Sequence, residues 1–114
     1  MQRIFQQSYH VPGALSASIG IRFKVPCNCQ LVHVSASQSD TDTAVLDIGP
    51  STDTDGYLDG VNFGVSGTPA EFDRDDFVGD QYPHIAAGTI VVVTITDHAS
   101  HSNDPTVVLT FTEG

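Results

Sequence analysis

Apolar side chains recur at every second position in short runs between residues 18 and 111, and Gly, Pro, Asp or Ser separates one run from the next. The first run is the clearest, because Ile21 and Phe23 alternate with Arg22 and Lys24. Successive side chains of a β-strand point to opposite faces, so this spacing predicts strands with one buried face. Val, Ile and Thr dominate these runs, and no window of a dozen residues has the periodicity of a helix. The chain is therefore predicted to be all-β.

The spacing of the runs indicates how the strands are arranged. About six to eight strands follow one another at hairpin-like intervals, which is typical of an antiparallel β-sandwich or a jelly roll. Residues 89–96 are apolar on both faces, so we expect a central strand that is covered on both sides. The predicted fold is an antiparallel, jelly-roll-like β-sandwich with an extended N-terminal arm.

Strict alternation also predicts which side chains form the core. In residues 29–36 it places Val32, Val34 and Ala36 on one face, and Leu31 and His33 on the other. Two later strands are predicted to turn these side chains inward: Ala44, Leu46, Ile48, Val107, Leu109 and Phe111. In residues 89–96 the alternation places Val91, Val93 and Ile95 on the face opposite to Ile90, Val92 and Thr94, and both faces are expected to be covered.

The first 17 residues differ from the rest, because they are polar and show little periodicity. We predict an N-terminal arm over residues 1–17 and a β-sandwich domain over residues 18–114. Ile4, Phe5 and Tyr9 would be apolar anchors that become ordered against a partner, and His10 could act at the same interface. The alternatives are a frayed terminus and a first short strand that folds onto the domain.

The net charge of -10 excludes several classes of partner. Nucleic acids and anionic lipids are bound through Lys and Arg, and this chain has only four of them. No apolar run approaches the ~20 residues of a membrane-spanning helix, and the N-terminus lacks the pattern of a secretory signal. We expect a protein that binds neither nucleic acid nor membrane and is made in a cytoplasm.

Asp53, Asp55 and Asp59 surround Gly56 in a segment that invites a calcium site. Alternate Asp residues and a Gly at a sharp turn can wrap oxygen ligands around a hard cation. The match to a helix–loop–helix calcium hand is poor, because Asn62 replaces the final Glu and no helices are predicted. The alternative is a solvated turn in which Asp side chains cap backbone N–H groups. No other cofactor is predicted.

The sequence contains no arrangement of residues that predicts catalysis. Cys27 and Cys29 are expected to be reduced thiols, since a disulfide across one intervening residue is geometrically awkward and no second Cys pair exists to complete a four-ligand zinc site. A metal site formed by both cysteines and His33 is the disfavoured alternative. His98 and His101 fall in a predicted turn, where they are expected to be exposed. We predict that the chain is not an enzyme.

Three short motifs carry a resemblance to a known family. They are Phe-Lys-Val-Pro-Cys at residues 23–27, Leu-Asp-Ile at 46–48 and Ala-Gly-Thr at 87–89. With the order of the strands, they resemble small β-sandwich proteins of tailed-phage virions, of the head-decoration and head- or tail-associated kind. Thr89 stands where that family usually has Asp. The resemblance covers roughly residues 18 to 112 and carries over no catalytic residue.

The resemblance implies a virion structural protein, most simply a capsid decoration or cement protein. Such a protein would lie on the capsid surface, bind the major capsid protein and copies of itself, and often form a homotrimer. Residues 1–17 would then reach a neighbour through Ile4, Phe5, Tyr9 and His10. The alternative function is a ligand-binding β-sandwich module, carbohydrate-binding or adhesin-like, with calcium in the loop at Asp53 to Asp59.

Overall fold

The computed structural model describes residues 3–11, 18–39, 44–96 and 104–114. The strands in chain order are β1 (Ile4–His10), β2 (Ile19–Lys24), β3 (Cys29–Ser37), β4 (Val45–Pro50), β5 (Leu58–Asn62), β6 (Ala70–Phe72), β7 (His84–Ile85), β8 (Ile90–Thr96) and β9 (Thr106–Glu113). Among the described residues the helical structure is one 3-10 turn, Val78–Asp80. No helix in these ranges is long and apolar enough to cross a membrane.

The strands form two antiparallel sheets whose order defines the fold. One sheet has the order β1-β9-β3-β6, with β7 added beside β3, and the other has the order β2-β8-β4-β5. Strands that follow each other in sequence take matching positions in the two sheets: β1 with β2, β9 with β8, β3 with β4 and β6 with β5. This is the double Greek-key winding of a jelly roll. The predicted all-β sandwich with jelly-roll-like order is confirmed.

The core lies between the inward faces of the two sheets. As predicted, β4 and β9 bury alternate apolar side chains, and Leu46 and Leu109 are each 0 % exposed. In β8, Val93 of the inward face is also 0 % exposed. Full burial of an aliphatic side chain of this size contributes roughly 1.5–3 kcal/mol. Phe23 of β2 meets Phe111 of β9 edge-on, with ring centroids 5.9 Å apart, and so links the two layers.

The prediction of strict alternation in β3 is wrong, because a β-bulge interrupts the strand. Leu31 pairs with Phe111 and His33 pairs with Thr110, so Val32 is an extra residue on β3. An extra residue changes which face every later side chain takes. As a result, Leu31 is buried in the same core as the following Val34 and Ala36, and His33 lies on the outer face.

The segment from residue 4 to residue 10 forms β1, which pairs with β9 along its whole length. It therefore has the position of the first strand of the jelly roll, one of the alternatives that the sequence left open. Residues 1–2 and 12–17 lie outside the described residues. The division of the chain at residue 17, and a contact of this stretch with a neighbouring molecule, stay predictions.

Two predicted turns extend beyond the residues that the structure describes. The turn at residues 37–42 is described only as far as Ser39, and the turn at 97–104 only at Asp104. His98 and His101, which the sequence places in the second turn, also lie outside the described residues.

The loop at residues 51–57 folds over the outer face of β4 at Gly49. A Cβ atom on Gly49 would collide with the backbone oxygen of Asp53 and would lie 2.6 Å from the Gly56 nitrogen. Val92, the partner of Gly49 on β8, is only 2 % exposed although it points away from the core. This agrees with the expectation of a central strand covered on both sides.

Gly49→Ala tests this close approach. We expect a loss of about 1–3 kcal/mol in the free energy of unfolding, because the added methyl group overpacks a backbone contact. Denaturant unfolding followed by circular dichroism measures the change. Gly20→Ala is the matched control, since its Cβ would be 3.7 Å from the nearest atom, Nη1 of Arg22. Equal stability of the two variants would contradict the proposed packing of the loop.

Candidate functional site

The four residues predicted as partner anchors share β1 but divide between its two faces. Phe5 and Tyr9 point toward the core side and are half-buried, whereas Ile4 and His10 point outward. Ile4 is 72 % exposed, the highest value among the exposed large apolar side chains that the structure describes. The His10 ring is fixed by a hydrogen bond of 2.7 Å between Nδ1 and the Thr106 hydroxyl.

An aromatic seam, defined here as Phe5, Tyr9, Phe23 and Phe111, closes the edge of the sandwich where β1 faces β2. Phe5 stacks on Phe111 with centroids 5.0 Å apart, and Tyr9 packs against Phe23 at 5.9 Å. Phe111 is fully buried, but the other three rings are half-buried. The sequence singled out Phe5 and Tyr9 but missed their ring partners. Phe111 lies on β9, about a hundred positions from Phe5, and Phe23 lies on β2 of the other sheet, so no local pattern shows either contact.

The Tyr9 hydroxyl is buried without a hydrogen-bond partner among the described residues. Burial raises the pKa of Tyr9 to about 12 from an ordinary value of 10.0. An unpartnered buried hydroxyl costs roughly 1–3 kcal/mol. The ring of Tyr9 therefore stabilises the seam while its hydroxyl opposes the fold.

Tyr9→Phe should raise the free energy of unfolding by about 1 kcal/mol, because it removes the unpartnered hydroxyl and keeps the ring. The raised pKa also makes the free energy of unfolding depend on pH. Because the folded state favours protonated Tyr9, this residue's contribution to stability is complete below pH 10 and is lost as pH rises toward 12. Thermal melts from neutral to alkaline pH measure both effects.

Tyr82→Phe is the control for this variant, since Tyr82 is exposed and packs its ring on Phe77. Its melting temperature should equal that of the wild type at neutral pH. A Tyr9→Phe variant that is less stable than the wild type would show that the hydroxyl contributes to the fold.

The structure brings Asp53, Asp55 and Asp59 close enough to affect one another. A hydrogen bond with Asp55, partial burial and the charges of Asp55 and Asp59 raise the pKa of Asp53 above its ordinary value. Within the described ranges, no three His, Cys, Asp or Glu side chains are arranged as ligands of one metal ion. Backbone hydrogen bonds from Asp53 to Pro50 and from Gly56 to Asp53 already close the turn. Calcium binding at these residues stays a prediction.

Asp55→Asn tests the charge of this loop. Because the pKa of Asp53 is raised in the folded state, protonated Asp53 stabilises the fold. This contribution to the free energy of unfolding is complete below about pH 3.8 and is lost as pH rises through the raised pKa. Removing the Asp55 charge relieves the repulsion, so we expect a higher melting temperature at pH 7 and no difference in strong acid.

Calcium and a chelator are the second arm of the same experiment. A bound ion would raise the melting temperature of the wild type, and Asp55→Asn would lose most of that rise. Asp75→Asn is the control, because Asp75 lies 3.9 Å from Arg74 and outside the loop. A calcium response equal in all three proteins would exclude a site at Asp53, Asp55 and Asp59.

The two cysteines are free thiols, as expected from their spacing. Burial raises the pKa of Cys29 to about 11, and partial burial and the Glu113 carboxylate raise the pKa of Cys27. Both thiols are therefore protonated and poorly nucleophilic at neutral pH. The bulge also separates Cys29, inside the core, from His33, which lies 3.6 Å from Glu71 on the outer face. These three residues therefore do not converge on a metal.

A shallow cleft of about 420 Å³ lies beside Cys29. Asn28, Cys29, His84, Ile85, Ala86 and Gly114 line it. The Gln30 amide donates a hydrogen bond to the ring of His84 over 3.0 Å, and the Asn28 side-chain oxygen accepts one from the Ala87 N–H over 2.8 Å. The polar groups at the cleft thus hold neighbouring strands and turns together.

No protein-family model and no curated protein matches this sequence. Among solved structures, the chain is similar to a chain of the cyanophage Pam1 capsid asymmetric unit, with a TM-score of 0.67 and 17 % identity over 97 % of this chain and 82 % of that one. This likeness shows a shared fold. The jelly roll described above is thus also found in a chain of a cyanophage capsid.

Two other solved structures are more distant. The Aeromonas hydrophila periplasmic inhibitor of g-type lysozyme, PliG, has a TM-score of 0.40 at 9 % identity, with 96 % of this chain and 86 % of that one covered. Desmodium yellow mottle tymovirus has a TM-score of 0.36 at 9 % identity, with 99 % and 87 % covered. Neither value is high enough to support an argument about fold or function.

Proposed function

We propose that this chain is a virion structural protein, a capsid decoration protein that binds the outer surface of a tailed-phage head and stabilises it. The observation that carries the proposal is the fold shared with a chain of the cyanophage Pam1 capsid over 97 % of this chain. The motifs at residues 23–27, 46–48 and 87–89 support the same class of protein. Its partners are the major capsid protein and copies of itself, in a homotrimer, and its role is not enzymatic.

The mechanism is cementing, in which burial of apolar surface joins neighbouring subunits. Three apolar side chains of β1 would bury this surface. Ile4 is exposed on the outer face of the strand, and Phe5 and Tyr9 are half-buried on its inner face. At about 25 cal/mol per Å², a few hundred Å² of apolar surface per copy contributes several kcal/mol. Many copies on one shell multiply this effect. The net charge of -10 keeps decorated particles apart in solution.

A ligand-binding module is the second candidate, and the effect of Asp55 and Asp59 on the pKa of Asp53 favours keeping it. A carboxylate whose pKa is raised by two neighbouring carboxylates gains from a bound cation. The calcium melts described above separate the two candidates. A large shift that depends on Asp55 favours the ligand-binding module.

The proposed function is tested by sedimentation of the purified chain with heads of the phage that encodes it, after the decoration layer has been removed. We expect saturable binding and greater resistance of the decorated heads to heat. Ile4→Asp should weaken binding about tenfold, which corresponds to about 1.4 kcal/mol. The substitution places a charge on an exposed apolar contact and leaves the core unchanged.

Val78→Asp is the matched control, because Val78 is also exposed, at 48 %, and lies outside β1. It should bind like the wild type. A chain that does not sediment with the heads at any concentration would overturn the proposed function.

A further inference from the structure

The outer edge of β1 is unpaired among the described residues, since its neighbour β9 lies on one side only. Two hydrogen bonds at the ends of the β1–β9 pair determine which backbone groups of β1 face this edge. The Arg3 carbonyl accepts a hydrogen bond from the Glu113 N–H at 2.7 Å, and the Val11 N–H donates one to the Pro105 carbonyl at 3.0 Å. Alternate residues of an antiparallel strand bond to opposite sides, so odd-numbered residues face β9. The backbone groups of the even-numbered residues face the free edge: Ile4, Gln6, Ser8 and His10.

β1 lacks the features that keep exposed strand edges from pairing with other chains. Natural edges are protected by charge, by bulges, by Pro or by short length. β2 carries Arg22 and Lys24, β5 carries Asp59 and an irregular register with β4, and β6 has only 3 residues. β1 has 7 residues without charge or Pro, and its register with β9 is unbroken.

We propose that two copies of this chain join through their β1 edges, as antiparallel neighbours about a two-fold axis at Gln7. Even-numbered residues must meet even-numbered residues for their hydrogen bonds to form. The register that uses the whole strand places Ile4 opposite the partner's His10, and Gln6 opposite the partner's Ser8. About eight backbone hydrogen bonds result. The inference names the neighbour of the β1 surface, and in that respect it rests on the proposed function.

The side chains of β1 are complementary to themselves in this register. Gln7 lies on the axis opposite its own copy, and an amide offers both donors and an acceptor, so two amides can bond to each other across the axis. Phe5 lies opposite the partner's Tyr9, so that half-buried rings of the aromatic seam cover one another. These pairings explain why an uncharged polar residue stands between two aromatic ones on the inner face of β1.

The distribution of charge also favours a second copy at this edge. Two chains of net charge -10 repel each other over most of their surfaces. Residues 4–10 contain no Asp, Glu, Lys or Arg, so two copies can approach here. Because salt screens the remaining repulsion, we expect the association to become stronger as ionic strength rises.

Disulfide trapping of Gln7→Cys in a Cys27→Ser background tests the register. At the axis the two Cα atoms would be about 4.5 Å apart, as in a pair without hydrogen bonds between its members. This distance suits a disulfide, which requires roughly 4.4–6.8 Å. Mild oxidation of the purified protein should therefore give covalent dimers.

Ser8→Cys in the same background is the matched control. The two Ser8 residues would be offset by two positions along the strands, beyond the roughly 7 Å that a disulfide can bridge. We expect several-fold less covalent dimer than for Gln7→Cys. Equal yields from both variants, or no dimer from Gln7→Cys, would overturn the pairing.

Sedimentation equilibrium of Ser8→Pro gives an independent readout. Proline at an even-numbered position removes an N–H from the free edge and leaves the bonds to β9 in place. We expect reversible dimers of the wild type and of Ser8→Ala, and no such dimers of Ser8→Pro, with melting temperatures showing that all three are folded. Wild-type protein without any two-fold association would contradict the proposal.

The two proposals can fail separately. Binding of the wild type to phage heads, without trapped Gln7→Cys dimers, would preserve the proposed function and overturn the β1 pairing. Trapped Gln7→Cys dimers without binding to phage heads would preserve the β1 pairing and overturn the proposed function. A homotrimer leaves room for the pairing, because a two-fold contact through β1 would then join one trimer to the next.

Discussion

Burial of the inward faces of β8 and β9 is the interaction on which the rest of the structure depends. Each strand has a neighbour on both sides within its own sheet, and the two faces meet in the core. Val91, Val93, Leu109 and Phe111 are each 0 % exposed. Once these strands occupy the inside of their sheets, the order of the jelly roll leaves β1 and β2 together at one open side. The surface that we propose for a partner is thus a consequence of how the core is wound.

The sequence predicted the inward faces of β4 and β9 because nothing interrupts their alternation, and it predicted burial of both faces of β8 because that run is apolar throughout. It failed in β3, where Val32 is inserted as the extra residue of a bulge. Val32 and His33 are ordinary strand residues, and nothing local marks the change of face between them. The bulge is set by pairing with Thr110 and Phe111, far along the chain, and only the assembled sheet shows it.

β1 illustrates a second limit on what local pattern can predict. Its inner face reads Phe5, Gln7 and Tyr9, and the central amide hides the alternation that would mark a strand. Strand formation here depends on β9, with Gln7 paired to Leu109. The sequence could single out Ile4, Phe5 and Tyr9 by their apolar character, but it could not identify the strand edge to which they belong. The backbone groups at that edge are those of β1 that do not form hydrogen bonds with β9.

The acidic loop shows that residues can be located from sequence while their role is left open. The three Asp residues do lie together, and Asp55 and Asp59 raise the pKa of Asp53. The same loop also covers Gly49, where backbone approaches backbone too closely for any Cβ. This contact accounts for Gly49 and for the tight turn at Gly56 without a bound ion. Its acidic groups add to the negative charge by which copies of the chain repel one another. In the proposed pairing, this repulsion would leave the uncharged edge of β1 as the place where two copies can meet.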